Sequence, residues 1–473
     1  MEDQWARWGL DLHLRLDSTY GLRKGLEHAL RDAVRHGQLS PGTSLPSSRA
    51  LARDLGVARG TVTQAYDQLV AEGYLTSRPR SGIRVAPRPA APPAETTPFV
   101  RTFLRPVSGT DLRPGMPDLS AFPRREWLAA TRHVLQTAPN TAFGYGDPTG
   151  CAELREALAD YLGRARGVVT TPNQVIVCAG HPHALRLISQ ALRRQGASAV
   201  AFEDPFSPDY PILVEQAGLR VNHVPVDQDG LVVDALADEA AAFVTPAHQY
   251  PLGVTLSPSR RTQLLAWSSR TGAFVVEDDY DGEFRYDRQP VGALQGLAPD
   301  RVIYTGTASK IMAPGLRIAW IVVPTGLVAP LREMMRWEES YVNVIDQLAF
   351  ARLIRTGDLD RHLRRCRSRY RRRRDLLGAA VAERLPHGHL AGIAAGLHVV
   401  LQLPGIDASE AQLLAHLAER GVAVDGIAYF HRRPEDAPLG LVIGYATPPE
   451  HAYGNALGSL INGLAEYQGE KRH

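Results

Sequence analysis

The stretch Tyr304–Arg317, YTGTASKIMAPGLR, puts a lysine into a chain that otherwise relies on arginine. Among 53 basic residues in 473, the only lysines are Lys24, Lys310 and Lys471. Ammonium and guanidinium groups both supply charge and donors, but only the amine sheds its proton near neutral pH and attacks a carbonyl. Lys310 follows an apolar run, Arg301–Thr305 (RVIYT), and precedes a Pro/Gly turn. It reads either as an ordinary surface cation or as a nucleophile delivered by the end of a strand. Its surroundings decide between the two.

Working outward, further strand-like runs appear at Gln174–Cys178, Ala199–Glu203, Ala241–Thr245, Ala273–Glu277 and Ile318–Val323, with helical stretches between most of them. That alternation predicts an α/β body with a mostly parallel sheet covered by helices, whose ligands sit beyond the carboxyl ends of the strands. From about Glu333 the pattern turns to helices and then a smaller α+β unit.

Upstream, Val85–Pro98 (VAPRPAAPPAETTP) lacks apolar periodicity and reads as an extended linker. The expected boundaries are a head at 18–86, a linker at 87–108 and a body at 109–473. In the head, Leu22, Leu26, Ala29, Leu30 and Ala33 fall on one helical face. A second helix starts near Ser47 and stops at Gly56. A third turns Val62, Ala65, Tyr66 and Leu69 inward and ends at Gly73. Tyr74–Val85 alternates like a hairpin, completing a winged helix-turn-helix plan. Residues 18–88 hold 11 Lys/Arg against 5 Asp/Glu. With a net charge of +3 for the whole chain, the body is slightly acidic and the basic head is suited to a polyanion.

No apolar run is long enough for a membrane span, and the N-terminus lacks the basic-then-apolar order of a secretory signal. Cys151, Cys178 and Cys366 are far apart, without metal-ligand spacing. A cytoplasmic protein without a metal site is expected.

The head sequence SPGTSLPSSRALARDLGVARGTVTQAYDQLVAEGYLTSRPRSG resembles the GntR-type winged helix over its whole length. The resemblance implies that Arg49, Arg59, Thr61 and Thr63 face DNA, with Arg78 and Arg80 on the wing. Ala58 stands where that family usually has a capping serine, and Gly60 where asparagine is common. Each change costs the third helix ~1 kcal/mol.

In the body, VVEDDYDGEFRY resembles the strand end of fold-type I enzymes that use pyridoxal 5'-phosphate (PLP). The resemblance implies that Asp278 meets the cofactor's ring nitrogen, that Tyr280 donates to the ring hydroxyl, and that Lys310 forms the Schiff base. Asp279 competes for the aspartate role, and the D-x-Y spacing favours Asp278. Thr307, Ser309 and Arg317 fall at the family's phosphate positions, with Gly180 and His181 at the start of a helix that attracts an anion. The family's usual G-S-Q-Q is here Gly180-His181-Pro182-His183, and Pro182 has no amide proton to donate. The aromatic usually stacked on the ring maps to Ser207, and the adjacent Phe206 would take over the stacking after a small shift. Tyr250 replaces the asparagine that normally assists Tyr280. Tyr145 maps to a residue that reaches the phosphate in the partner subunit, which implies a homodimer.

Head and body together resemble a MocR-type transcriptional regulator. The implied fold is multidomain: a winged helix-turn-helix, an α/β fold-type I aminotransferase-like body and a smaller C-terminal α+β subdomain. The arginine that clamps the substrate carboxylate in aminotransferases maps to Val442, with Arg432 and Arg433 nearby. The Schiff-base lysine is kept while the substrate clamps are altered. That favours a regulator that senses PLP or an amine at Lys310 and binds a double-stranded operator with two half-sites. The alternatives are a working aminotransferase with a regulatory head, and a plain DNA binder with an empty body. The nine arginines of Arg361–Asp375 (RHLRRCRSRYRRRRD) read as a solvated, partly paired helix, and His398 as a satisfied core histidine.

Overall fold

The computed structural model describes residues 21–78, 82–87, 109–287, 291–337, 341–404 and 409–470. The chain divides into two compact units, Met1–Leu104 and Arg105–His473. Most of the expected linker, from residue 88 onward, and Arg80 of the wing lie outside the described residues.

The first unit packs three helices, Leu22–Arg35, Ser48–Leu55 and Arg59–Ala71, against a hairpin of Leu75–Arg78 and Gly82–Val85. Ser47 caps the second helix by accepting from the Ala50 amide, and Gly56 ends it in the left-handed conformation (φ 65°). Val62, Ala65, Tyr66 and Leu69 are buried on the third helix with Leu26, Leu30 and Ala33 of the first. Leu22 is exposed, so the inner face of the first helix begins one turn later than its spacing suggests. Arg31 ties the first helix to the end of the third through Glu72 (2.8 Å). Ala58 precedes the third helix with no side-chain cap.

The second unit is built on an eight-stranded sheet. Its order is Val175–Cys178, Ala319–Val322, Val302–Thr307, Phe274–Asp278, Ala241–Val244, Ala199–Asp204, Arg220–Asp227 and Gly230–Leu231. All six expected strands are present. Five run the same way, and Ala319–Val322 runs against both of its neighbours. The last two strands, antiparallel to each other, were not legible in the sequence. Arg220–Asp227 is a half-exposed strand interrupted by Pro225, without the continuous apolar run of a buried strand. Apolar clusters cover the sheet on both faces, one of them under the helix His181–Arg194.

Beyond the sheet, the long helix Asp358–Arg384 leads to a smaller antiparallel sheet of His389–Ala391, Val399–Gln402, Gly440–Ile443 and Asp425–Gly426. The arginines of this helix are extensively paired. Arg373 is buried against Asp118 (2.9 Å) and Glu450 (2.9 Å), and Arg367 donates to the Glu283 carbonyl (2.7 Å). Among the described residues, no helix is long and apolar enough to cross a membrane.

Candidate functional site

Three strands with a common direction, Val175–Cys178, Phe274–Asp278 and Val302–Thr307, bring their carboxyl ends to one edge of the sheet. The last runs into the short helix Ala308–Ile311, which carries Lys310. Thr307 caps that helix: its Oγ1 accepts from the Ser309 amide (3.1 Å) and donates to Ser309 Oγ (3.0 Å). Lys310 Nζ donates to the Gly115 carbonyl (2.5 Å). Burial pushes the pKa of this amine down, opposed by Asp278 and Asp281.

The two adjacent carboxylates separate. Asp278 stands in register with Thr305. Its Oδ1 accepts from Thr305 Oγ1 at 3.3 Å, and its Oδ2 lies 3.4 Å from His181 Nε2. Burial raises its pKa, opposed first by His181. Asp279 faces away, held by Arg166 (2.6 and 2.9 Å) and by the Tyr304 hydroxyl (2.8 Å). Asp279 is thus consumed by a buried ion pair, and Asp278 is the one that shares the space of Lys310.

The Tyr280 hydroxyl donates to the His248 carbonyl (3.1 Å) and lies 3.1 Å from His248 Nδ1. That nitrogen is also 2.9 Å from Asp281 Oδ2. The Tyr250 ring meets Tyr280 and Phe206 edge-on, with centroids 5.8 and 6.5 Å apart. Phe206 is buried among Phe202, Tyr210 and Tyr250. His398, also buried, has Nε2 3.0 Å from the Pro251 carbonyl oxygen. His248, Asp281 and His398 bring three potential metal-ligating atoms within 4.8 Å of one another, yet each of the two imidazoles already has a hydrogen-bond partner.

On the other side, Arg317 adopts φ 52°, the only positive φ of a non-glycine among the described residues. A left-handed arginine is strained and persists only when its surroundings hold it. Its Nη2 donates to the Ala179 carbonyl (2.8 Å). Gly180 has φ 90°, and a Cβ there would come within 2.6 Å of the Arg317 guanidinium, so arginine and turn demand each other. Two amides of this turn are already spent, Ala179 on His183 Nδ1 (3.0 Å) and Gly180 on the Cys178 carbonyl (2.9 Å). Pro182 has none.

Contacts link Asp278 through His181 and Tyr210 to Phe206, and Phe206 through Tyr250 to Tyr280, while Arg317 holds the Gly180 turn and Thr307 holds Ser309 beside Lys310. Tyr145 is not among them and is fully exposed in the single chain. Val442 is buried with Val400, Ile427 and Phe430, while Arg432 and Arg433 are exposed. In the first unit, Arg49, Arg59, Thr63 and Arg78 are exposed and Thr61 is half-buried. Thr63 Oγ1 donates back to the Arg59 carbonyl (3.1 Å). The sequence reading missed Thr305, Asp281, Tyr210 and the Gly115 carbonyl. It also missed His248, whose contact with Tyr280 spans 32 positions and leaves no local signal.

The chain matches the family Aminotransferase class I and II over residues 115–443 and the family Bacterial regulatory proteins, gntR family, over residues 22–85. It is 35% identical over 428 residues to the HTH-type pyridoxine biosynthesis transcriptional regulator PdxR of Corynebacterium glutamicum, covering 90% of this chain and 92% of that one. It is 34% identical over 467 residues to the probable rhizopine catabolism regulatory protein MocR of Rhizobium meliloti, covering 92% of each. Among solved structures it is similar to an archaeal alanine:glyoxylate aminotransferase, at 25% identity and TM-score 0.69 over 76% of this chain and 91% of that one. It is also similar to the Pyrococcus horikoshii kynurenine aminotransferase, at 26% identity and TM-score 0.68 over the same shares.

The aminotransferase class I and II fold implies PLP as the cofactor, and the residues present fit it. Asp278 is a buried carboxylate with only two long contacts, short of the donors that burial of its charge requires. Both ring nitrogens of His181 are buried without a hydrogen-bond partner. Lys310 is an amine whose proton is weakened by burial. Gly180 lets the Arg317 guanidinium lie directly against the turn that opens the helix His181–Arg194, a cation beside a helix start as an anionic group requires. With a gntR-family helix-turn-helix ahead of an aminotransferase-like body along nearly its full length, the chain belongs to the MocR-type regulators.

Proposed function

We propose that the chain is a PLP-dependent transcriptional regulator whose body responds to PLP or to an amine at Lys310 and whose head binds the operator. The observation that carries this reading is the setting of the Lys310 amine: it follows directly on the strand Val302–Thr307, burial weakens its hold on its proton, and it lies close enough to Asp278 to feel that carboxylate's charge. When bound, PLP supplies an amine-reactive aldehyde on an electron-accepting ring. Burial weakens the hold of Lys310 on its proton, which favours the free, nucleophilic amine relative to an exposed lysine. Asp278 would hold a proton on the ring nitrogen. The Tyr280 hydroxyl, oriented by His248, would face the ring hydroxyl. Thr307, Ser309 and Arg317 would take the phosphate, with the Gly180–His181 turn behind them. Phe206 and Tyr250 would wall the ring in, and Tyr145 of the partner subunit would complete the phosphate site of a homodimer.

Regulation is favoured over turnover by the carboxylate side of the site. Val442 is fully buried in an apolar cluster, so that strand position offers no cation to an amino-acid carboxylate. A ligand moves the head's affinity only to the extent that it binds two states of the body differently. In the head, Arg49, Arg59, Thr61, Thr63, Arg78 and Arg80 are the residues offered to two operator half-sites.

The test is to mix the PLP-loaded protein with amino acids and a keto acid, and to follow absorbance, product and DNA binding together. A spectral change with altered DNA affinity and no accumulating product is expected. Many turnovers without any change in DNA binding would favour the aminotransferase reading instead.

A further inference from the structure

His181 is the least committed polar side chain in the site. It opens the helix His181–Arg194 directly after Gly180, is 7% exposed, and has neither ring nitrogen hydrogen-bonded. Its contacts are the face of Tyr210, with centroids 4.9 Å apart, and Asp278 Oδ2 at 3.4 Å. A histidine that props a catalytic carboxylate is ordinarily fixed by a hydrogen bond on its far nitrogen. His181 has no such anchor, so no hydrogen bond fixes its ring in this orientation. Asp278 meanwhile has both oxygens engaged, Oδ1 by Thr305 and Oδ2 by His181, each at long range. Neither long contact exhausts the carboxylate as an acceptor, but the imidazole stands 3.4 Å from Oδ2, in the space that a ring nitrogen bonding that oxygen would need, and it is the partner held by less.

We propose that the His181 imidazole is a built-in placeholder for the cofactor's ring nitrogen. It rests on Asp278 until PLP binds and must then swing away, so this one side chain sets how readily the protein gains and loses its cofactor. The placeholder partly compensates the buried carboxylate and makes PLP binding a displacement rather than a filling. A protein that reports on its cofactor needs such reversibility. The population resting on Asp278 lowers the apparent affinity for PLP by the fraction of molecules it occupies. This inference rests on Asp278 being the partner of the ring nitrogen.

The experiment titrates the PLP-free full-length protein with PLP, reading the absorbance band and, after borohydride reduction, the mass of the chain. The wild type is compared with His181→Ala, His181→Ser and Asp278→Ala. Removing the imidazole is expected to tighten PLP binding roughly tenfold, the effect of deleting one polar contact from the competing state. The serine variant, which keeps a polar residue at the helix start, should behave like the alanine variant. Unchanged or weaker binding in both variants would mean that His181 supports Asp278 or the phosphate, and would overturn the placeholder. Unchanged binding in Asp278→Ala would instead overturn the assignment of Asp278 on which it rests.

Discussion

Asp278 and Asp279 are neighbours of identical chemistry with opposite fates. Asp279 neutralises Arg166 where both side chains are 1% exposed, so removing its charge strands a guanidinium in the interior. Asp279→Asn should destabilise the body by about 3–5 kcal/mol. Asp278→Asn should leave stability unchanged or slightly raised, because its charge is costly where it stands, while weakening PLP binding. Urea unfolding of the PLP-free variants checks both, and equal losses would contradict the division of roles. His398 makes a second prediction at this scale. Burial and the neighbouring His248 push its pKa from 6.5 down to about 3. The folded protein keeps this imidazole neutral, whereas the unfolded chain takes up a proton below 6.5. Its contribution to stability is therefore present above 6.5 and is lost progressively as pH falls toward 3. By pH 5 this one group should cost about 2 kcal/mol. The drop in urea midpoint between pH 7 and pH 5 should be smaller in His398→Gln than in wild type.

The third helix of the head shows how much an element's own sequence reveals. Its start at Ala58–Arg59, its buried face and its missing cap were all legible, because helical period and capping are local properties. Ala58→Ser should supply the absent acceptor and raise the stability of the head by ~1 kcal/mol, read as an upward shift of the head's thermal transition. A null shift would mean that the preceding turn already satisfies the helix. Lys310 and Arg317 lie seven positions apart on one strand–turn segment, and the resemblance of that segment to the PLP enzymes is what singled them out. What stayed hidden is non-local. The pairing of Asp279 with Arg166 spans 113 positions and that of Tyr280 with His248 spans 32, and nothing in either local pattern announces them. The edge strand Arg220–Asp227 was missed because half-exposure and Pro225 dilute its apolar signal.

At the scale of the whole molecule, a basic helix-turn-helix unit is joined in one chain to a body that has the architecture of a PLP-binding aminotransferase and buries Val442 in an apolar cluster of its smaller sheet. Three of the nine arginines that the long helix carries between Arg361 and Asp375, namely Arg369, Arg372 and Arg373, belong to the body's own ion-pair network through Asp118 and Glu450. The central claim is the covalent capacity of Lys310. Its most direct test is borohydride reduction of the protein purified with PLP, followed by peptide mass spectrometry of the wild type and of Lys310→Ala. A phosphopyridoxyl group on the peptide that contains Lys310, absent in the variant, is the predicted result. No adduct in the wild type, or one that persists when Lys310 is replaced, would contradict the account.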